Sequence, residues 1–195
     1  MSNYTPTILA FAGSTRSESL NKKLARAAAA GAEAAGANVT VVDLGDYPLP
    51  LFDEDLEAAS GLPENAVKLR ELFINHDGFL IASPEYNGSL TAVLKNVIDW
   101  LSRRQGTEAP YLCFKEKVAL LVAASPGGLG GLRGLNHLNT ILHGLQVIVL
   151  PEQKAIPAAH TRFDDTGAAD EKLAKDLAQL AERLVEMTVR IHSPS

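Results

Sequence analysis

The strongest constraint on this chain is a rhythm of five short apolar runs separated by stretches of helical periodicity. Residues 7–12, 38–43, 78–82, 117–124 and 146–150 are rich in Val, Ile, Leu and Ala and show little alternation between apolar and polar positions. A strand that is apolar on both sides must be covered on both sides, which is the mark of a parallel sheet between helical layers. Parallel neighbours need a crossover, and the sequence supplies one each time. Residues 20–35, 64–75, 90–102 and 132–142 read as helices, and 170–190 as a long amphipathic helix. The segment between 43 and 63 carries Pro48, Pro50 and Pro63 and reads as a long loop. No repeat or composition break divides residues 1–195, so one α/β domain is expected.

In such a sheet, ligands bind beyond the carboxyl ends of the strands, near the switch in winding direction. Three unusual loops leave those ends. The first, residues 13–21, joins Gly13 to Ser14, Thr15, Arg16, Ser19, Leu20 and Asn21 at the start of a helix. A helix N-terminus offers unpaired N–H groups and partial positive charge, so it favours a phosphate. The hydroxyls of Ser14, Thr15 and Ser19 can donate to one, and Arg16 adds charge and a fork of donors. The competing reading is a plain cap from Ser17 or Ser19 with a solvated Arg16. The loop has neither Gly-Lys-[Ser/Thr] nor Gly-x-Gly-x-x-Gly, so a monophosphate fits better than a triphosphate or a dinucleotide.

The second loop is Ser83-Pro84-Glu85-Tyr86-Asn87-Gly88-Ser89, where Pro84 fixes one backbone angle and Gly88 permits a turn that most residues resist. It reads either as a rigid rest for a flat ring or as a strand-to-helix turn capped by Asn87 or Ser89. The third, Ser125-Pro126-Gly127-Gly128-Leu129-Gly130-Gly131, lets the backbone approach a ligand, or simply releases a strand into its helix.

Composition narrows the chemistry. Net charge is −5 without a dense basic run, which gives no reason for a nucleic-acid partner. The one cysteine, Cys113, excludes an internal disulfide and a two-thiol redox motif, so redox chemistry would need a bound group. There is no basic flank with an apolar stretch at the start, and no apolar run nears the ~20 residues of a membrane span, so a cytoplasmic protein is expected. No metal ligand set or catalytic acid or base is assigned. His137, His143 and Cys113 are read as packing or solvated groups, and Asp53-Glu54-Asp55 as a solvated acidic face.

Taken together, Gly-Ser-x-Arg-x-x-Ser-x-Asn at 13–21, Ser-Pro-Glu-Tyr-Asn-Gly-Ser at 83–89 and Leu-Lys-Asn-x-Ile-Asp-Trp at 94–100 resemble the NAD(P)H-dependent FMN reductases, a family that includes quinone, chromate and azo-dye reductases. The resemblance implies a flavodoxin-like three-layer sandwich with a five-stranded parallel sheet in the order 2-1-3-4-5. It implies FMN as cofactor and NAD(P)H as co-substrate, with a quinone, free flavin, azo dye or metal oxyanion as acceptor. It places Ser14, Thr15, Arg16, Ser19, Leu20 and Asn21 at the FMN phosphate. It places Pro84, Glu85, Tyr86 and Asn87 along the isoalloxazine, mostly through main chain, and Ser125 and Gly128 at the ring edge. Arg133 and Glu152 match positions of an inter-subunit network in some members, with Asn136 where an aromatic is expected. A homodimer is implied, and a tetramer in some members. The rival reading is a flavodoxin-type electron carrier serving protein partners, which would have a phosphate loop richer in threonine and a more acidic surface.

Overall fold

The computed structural model describes residues 4–193. Its strands are β1 (Thr7–Ala12), β2 (Asn38–Val42), β3 (Gly78–Ala82), β4 (Val118–Ala124), β5 (Ile148–Val149) and β6 (Lys154–Ile156). All pair in parallel, in the order β2-β1-β3-β4-β5, with β6 also against β4. The expected strand order holds. The fifth strand is the difference: the run at 146–150 yields only two paired residues against Val118 and Ala119, and β6 resumes the ladder against Val122 to Ala124. Pro151 lies in the gap and has no N–H to give to a ladder, so the edge strand breaks there and restarts.

Helices α1 (Leu20–Ala34), α2 (Glu54–Ser60), α3 (Glu64–Ile74), α4 (Ala92–Leu101), α5 (Leu132–Gly144) and α6 (Glu171–His192) connect and flank the strands. Successive strand residues point to opposite faces. Ile8, Ala10 and Ala12 therefore pack with α1 and α6, and Leu9 and Phe11 with α3, α4 and α5. The alanine-rich α1 lets α6 come very close: a Cβ at Gly31 would lie 2.9 Å from the Cα of Ala178. On the other face, Phe11, Phe73, Phe79 and Phe114 form a chain of tilted and edge-on ring contacts. Burial alone stabilises each such ring by roughly 1.5–3 kcal/mol.

The region expected to be one long loop contains α2, and the acidic run explains it. Asp53 is the N-cap, its Oδ1 accepting from Asp55 N–H at 2.8 Å and Leu56 N–H at 3.3 Å. Glu54 and Asp55 occupy the first turn, where negative charge is favoured. The helix buries no residue, so it left no apolar stripe to be read in the sequence. The stretch before it is moored to α4: Asn96 and Trp100 both donate to Pro50 C=O at 2.8 Å, and Phe52 N–H donates to Asn96.

Among the described residues, no helix is long and apolar enough to cross a membrane.

Helix α6 is held by a capped ion pair. Asp170 accepts from Leu173 N–H at 2.8 Å and pairs with Arg162 through two nitrogens. The Arg162 guanidinium, then the helix amide, lowers the Asp170 carboxyl to about 2. A lowered carboxyl adds stability that is full above its unfolded pKa near 3.9 and is lost as the pH falls through the folded value. Asp170→Asn should therefore flatten the fall in thermal midpoint between pH 4 and 2, measured by circular dichroism. An unchanged slope would remove Asp170 from the acid response.

Candidate functional site

The three loops singled out in the sequence converge at the carboxyl edge of β1, β3 and β4. Gly13 N–H continues the ladder onto Ala82 C=O at 2.9 Å, and Ser83 N–H onto Val122 C=O at 2.9 Å, so both loops leave the sheet in register. A Cβ at Gly13 would sit 3.0 Å from Leu94, which shows how tightly the first loop lies on α4. Thr91 locks the two loops together. Its hydroxyl donates to Gly13 C=O at 2.6 Å and accepts from Leu94 N–H as the N-cap of α4. Thr91 was not among the expected site residues; a threonine one residue before a helix start was the available signal.

A small recess of about 80 Å³ opens where these loops meet. Ser14, Arg16, Ser19, Leu20 and Asn21 form one wall, and Pro84, Glu85 and Tyr86 another. Ala124, Ser125 and Pro126 close it. Nine of the expected residues are thus brought together, with Asn87 on the adjoining groove. Thr15 and Gly128 depart from the expectation. Thr15 turns to a neighbouring cavity beside Leu44, Tyr47 and Asn96. Gly128 is exposed, and a Cβ there would meet nothing within 4 Å. The glycines that the fold does require are Gly130 and Gly131. A Cβ at Gly130 would lie 2.7 Å from the Ile156–Pro157 backbone, and one at Gly131 2.6 Å from Ala123 Cβ, both at positive φ.

The recess suits a phosphate. Ser19 is the N-cap of α1 and is buried, yet its side chain makes no capping bond. The plain-cap reading therefore fails for Ser19, which lines the recess. The first helical bond runs from Lys23 N–H to Ser19 C=O, so the amides of Leu20 and Asn21 precede the helical ladder. Arg16 is exposed at the rim, and Ser14 is buried with its Oγ 3.3 Å from Arg16 N–H. The side chain of Asn21 is engaged within the protein. Its Nδ2 donates to Ala124 C=O at 2.8 Å and its Oδ1 accepts from Ala124 N–H at 2.9 Å. The amide acts as a piece of strand and ties the start of α1 to the end of β4.

Glu85 is the acid in this recess, and its charge is directed away. The carboxylate accepts from Arg133 N–H, Gly134 N–H and the Arg133 guanidinium. Burial by itself would raise its pKa, but the guanidinium and the two helix amides outweigh that and hold it below the usual value, so it stays ionised. Arg133 and Glu152, the matched positions of an inter-subunit network, each have a partner within the chain: Glu85 for the first, Arg183 for the second.

The remaining polar groups are structural. Burial pushes the Cys113 thiol up to about 11, far from a reactive thiolate. His137 Nδ1 lies 3.0 Å from Ser89 Oγ. His76, a buried histidine that sequence reading passed over, bridges Leu72 C=O and Thr40 Oγ1 across the opposite end of the sheet.

Comparison with known proteins agrees with this geometry. The chain is 34% identical over 184 residues to an NAD(P)H-dependent FMN reductase of Pseudomonas aeruginosa, covering 94% of this chain and 95% of that one. It is 34% identical to a quinone reductase of Pseudomonas putida, covering 88% of each. Its fold superposes on the flavoenzyme NAD(P)H:(acceptor) oxidoreductase FerB of Paracoccus denitrificans with a TM-score of 0.80, at 29% identity over 96% of this chain and 99% of that one. The profile of the NADPH-dependent FMN reductases matches residues 6–161, and the chain belongs to that family.

Proposed function

We propose that this protein is an NAD(P)H-dependent FMN oxidoreductase that passes a hydride from NAD(P)H, by way of bound FMN, to a quinone, free flavin or similar small acceptor. The observation that carries the reading is the pairing of an anion recess at the start of α1 with the rigid 83–89 loop on the same sheet edge. Relatives named as FMN reductases and quinone reductases support it.

The residues fit an FMN phosphate. Ser14, Ser19 and Arg16 line the recess beside the start of α1, while the neighbouring carboxylate of Glu85 is neutralised by Arg133. When bound, the flavin supplies the two-electron chemistry that no side chain of this protein can supply. The protein's own work is to hold and orient. Arg16 and the serines fix the phosphate end, and Pro84 to Asn87 offer main chain to the ring. Tyr86 is 52% exposed, so this side of the site is open to small molecules. Such openness suits an enzyme that admits donor and acceptor in turn.

We further propose a homodimer formed through the α4–α5 face. There, a groove of about 730 Å³ is lined by Leu90, Ala92 and Ile141, with Tyr86 exposed beside it. Sedimentation equilibrium should give twice the chain mass; a single-chain mass would overturn this assembly.

The activity is tested on FMN-loaded protein. Anaerobic NADH or NADPH should bleach the flavin without any partner protein, and a quinone should restore its colour. No bleaching by either nucleotide would sink the reductase and favour an electron carrier. Arg16→Ala should weaken FMN by about 10- to 100-fold, the loss of a charge-assisted contact of roughly 1.5–3 kcal/mol. Unchanged affinity in fluorescence titration would mean that the phosphate lies elsewhere.

A further inference from the structure

Glu85 lies in the loop expected to face the flavin, yet its side chain is only 7% exposed and points the other way. Both carboxylate oxygens are used. Oε2 accepts from Arg133 N–H at 3.0 Å and Gly134 N–H at 3.2 Å, and Oε1 accepts from Arg133 Nε at 2.7 Å. These two amides belong to the first turn of α5, whose N-cap, Gly131, has no side chain to satisfy them. Glu85 therefore caps a helix that begins far away in sequence, and negative charge is favoured at that end.

The surroundings are built for this contact. A Cβ at Gly134 would fall 3.2 Å from Ser89 C=O and 3.3 Å from Glu85 Cβ, so glycine is what lets the loop lie against α5. The loop tip is a tight two-residue reversal. Tyr86 and Ser89 exchange backbone bonds at 2.9 and 3.1 Å, with Asn87 and Gly88 both at positive φ, as the primed hairpin turns require. The Arg133 guanidinium lies over Gly88, and His137 adds a second tie through Ser89. Lifting the loop would strand a buried carboxylate and uncap α5 together, and each alone is costly.

We infer that Glu85 is a positioning residue for the flavin ring: through Arg133 and Gly134 it clamps the Pro84–Ser89 main chain to α5 and fixes the surface on which the ring rests. This rests on the FMN reading above. Glu85 borders the phosphate recess, but its carboxylate is spent on α5 rather than on the phosphate, so the two halves of the cofactor should report on different residues. Riboflavin, which lacks the phosphate, isolates the ring half.

The test is a titration of wild-type, Glu85→Ala, Glu85→Gln, Arg133→Ala and Arg16→Ala proteins with FMN and with riboflavin, read by flavin fluorescence, with the visible spectrum of the bound flavin recorded. Glu85→Ala should weaken FMN and riboflavin by the same factor, tenfold or more, and alter the fine structure of the bound-flavin spectrum. Glu85→Gln keeps one acceptor oxygen for the helix amides and should recover a large part of both. Arg133→Ala, at a residue whose side chain is 60% exposed, should show the same pattern more weakly. Arg16→Ala should weaken FMN alone. Wild-type riboflavin affinity and spectrum in both Glu85→Ala and Arg133→Ala would overturn the inference, as would a loss confined to FMN. A wild-type protein that takes up no FMN would instead overturn the cofactor reading beneath it.

Discussion

Everything at the site follows from a sheet that is dry on both faces. β1, β3 and β4 contribute buried residues almost throughout, so helices must cover both sides and no polar chemistry can sit on the strands themselves. Function is pushed to the edge where the strands end. There the backbone has to leave the ladder, and the loops that carry it out are held by unusually specific bonds. Asn21 extends β4 by mimicking a strand, Thr91 joins the first loop to the second, and Glu85 joins the second to α5. Each bond crosses from one loop to the next, so the site is assembled by side chains that need not touch a ligand.

Electrostatics at this edge are arranged by helix ends. The start of α1 is left with unused amides and a free capping hydroxyl, which an anion would complete. The start of α5 is already completed by Glu85. One N-terminus is therefore open to a phosphate and its neighbour is closed by a carboxylate from the same chain. The alternation explains how an acid can line an anion site without repelling its occupant: its charge is met by Arg133 and two amides before it reaches the recess.

Much of this was legible in the sequence, for a physical reason. Long apolar runs and glycine-closed helices carry strong periodic signals, so β1 to β4, α1 and α3 to α6 fall close to the expected places. Elements whose existence depends on local hydrogen bonds rather than burial were not legible. The helix α2 buries nothing, and its capping aspartate looked like any solvated acid. The split of the edge strand depends on Pro151 meeting β4, a tertiary fact. At the site, residue types pointed to the right loops but not to side-chain direction. The side chains of Asn21 and Glu85 bond within the protein while both residues line the recess, and Thr15 faces a different cavity. Sequence spacing brings a residue to the site; only packing decides which way it points.

The central proposal for the molecule is that the recess at the start of α1 is a phosphate site for FMN. Its most direct measurement is the affinity of the wild-type protein for FMN against riboflavin across a salt series. If Arg16, the serines and the helix amides hold the phosphate, FMN should bind about 100-fold or more tightly, and the advantage should shrink as salt rises. Equal affinities at all salt concentrations would contradict the account.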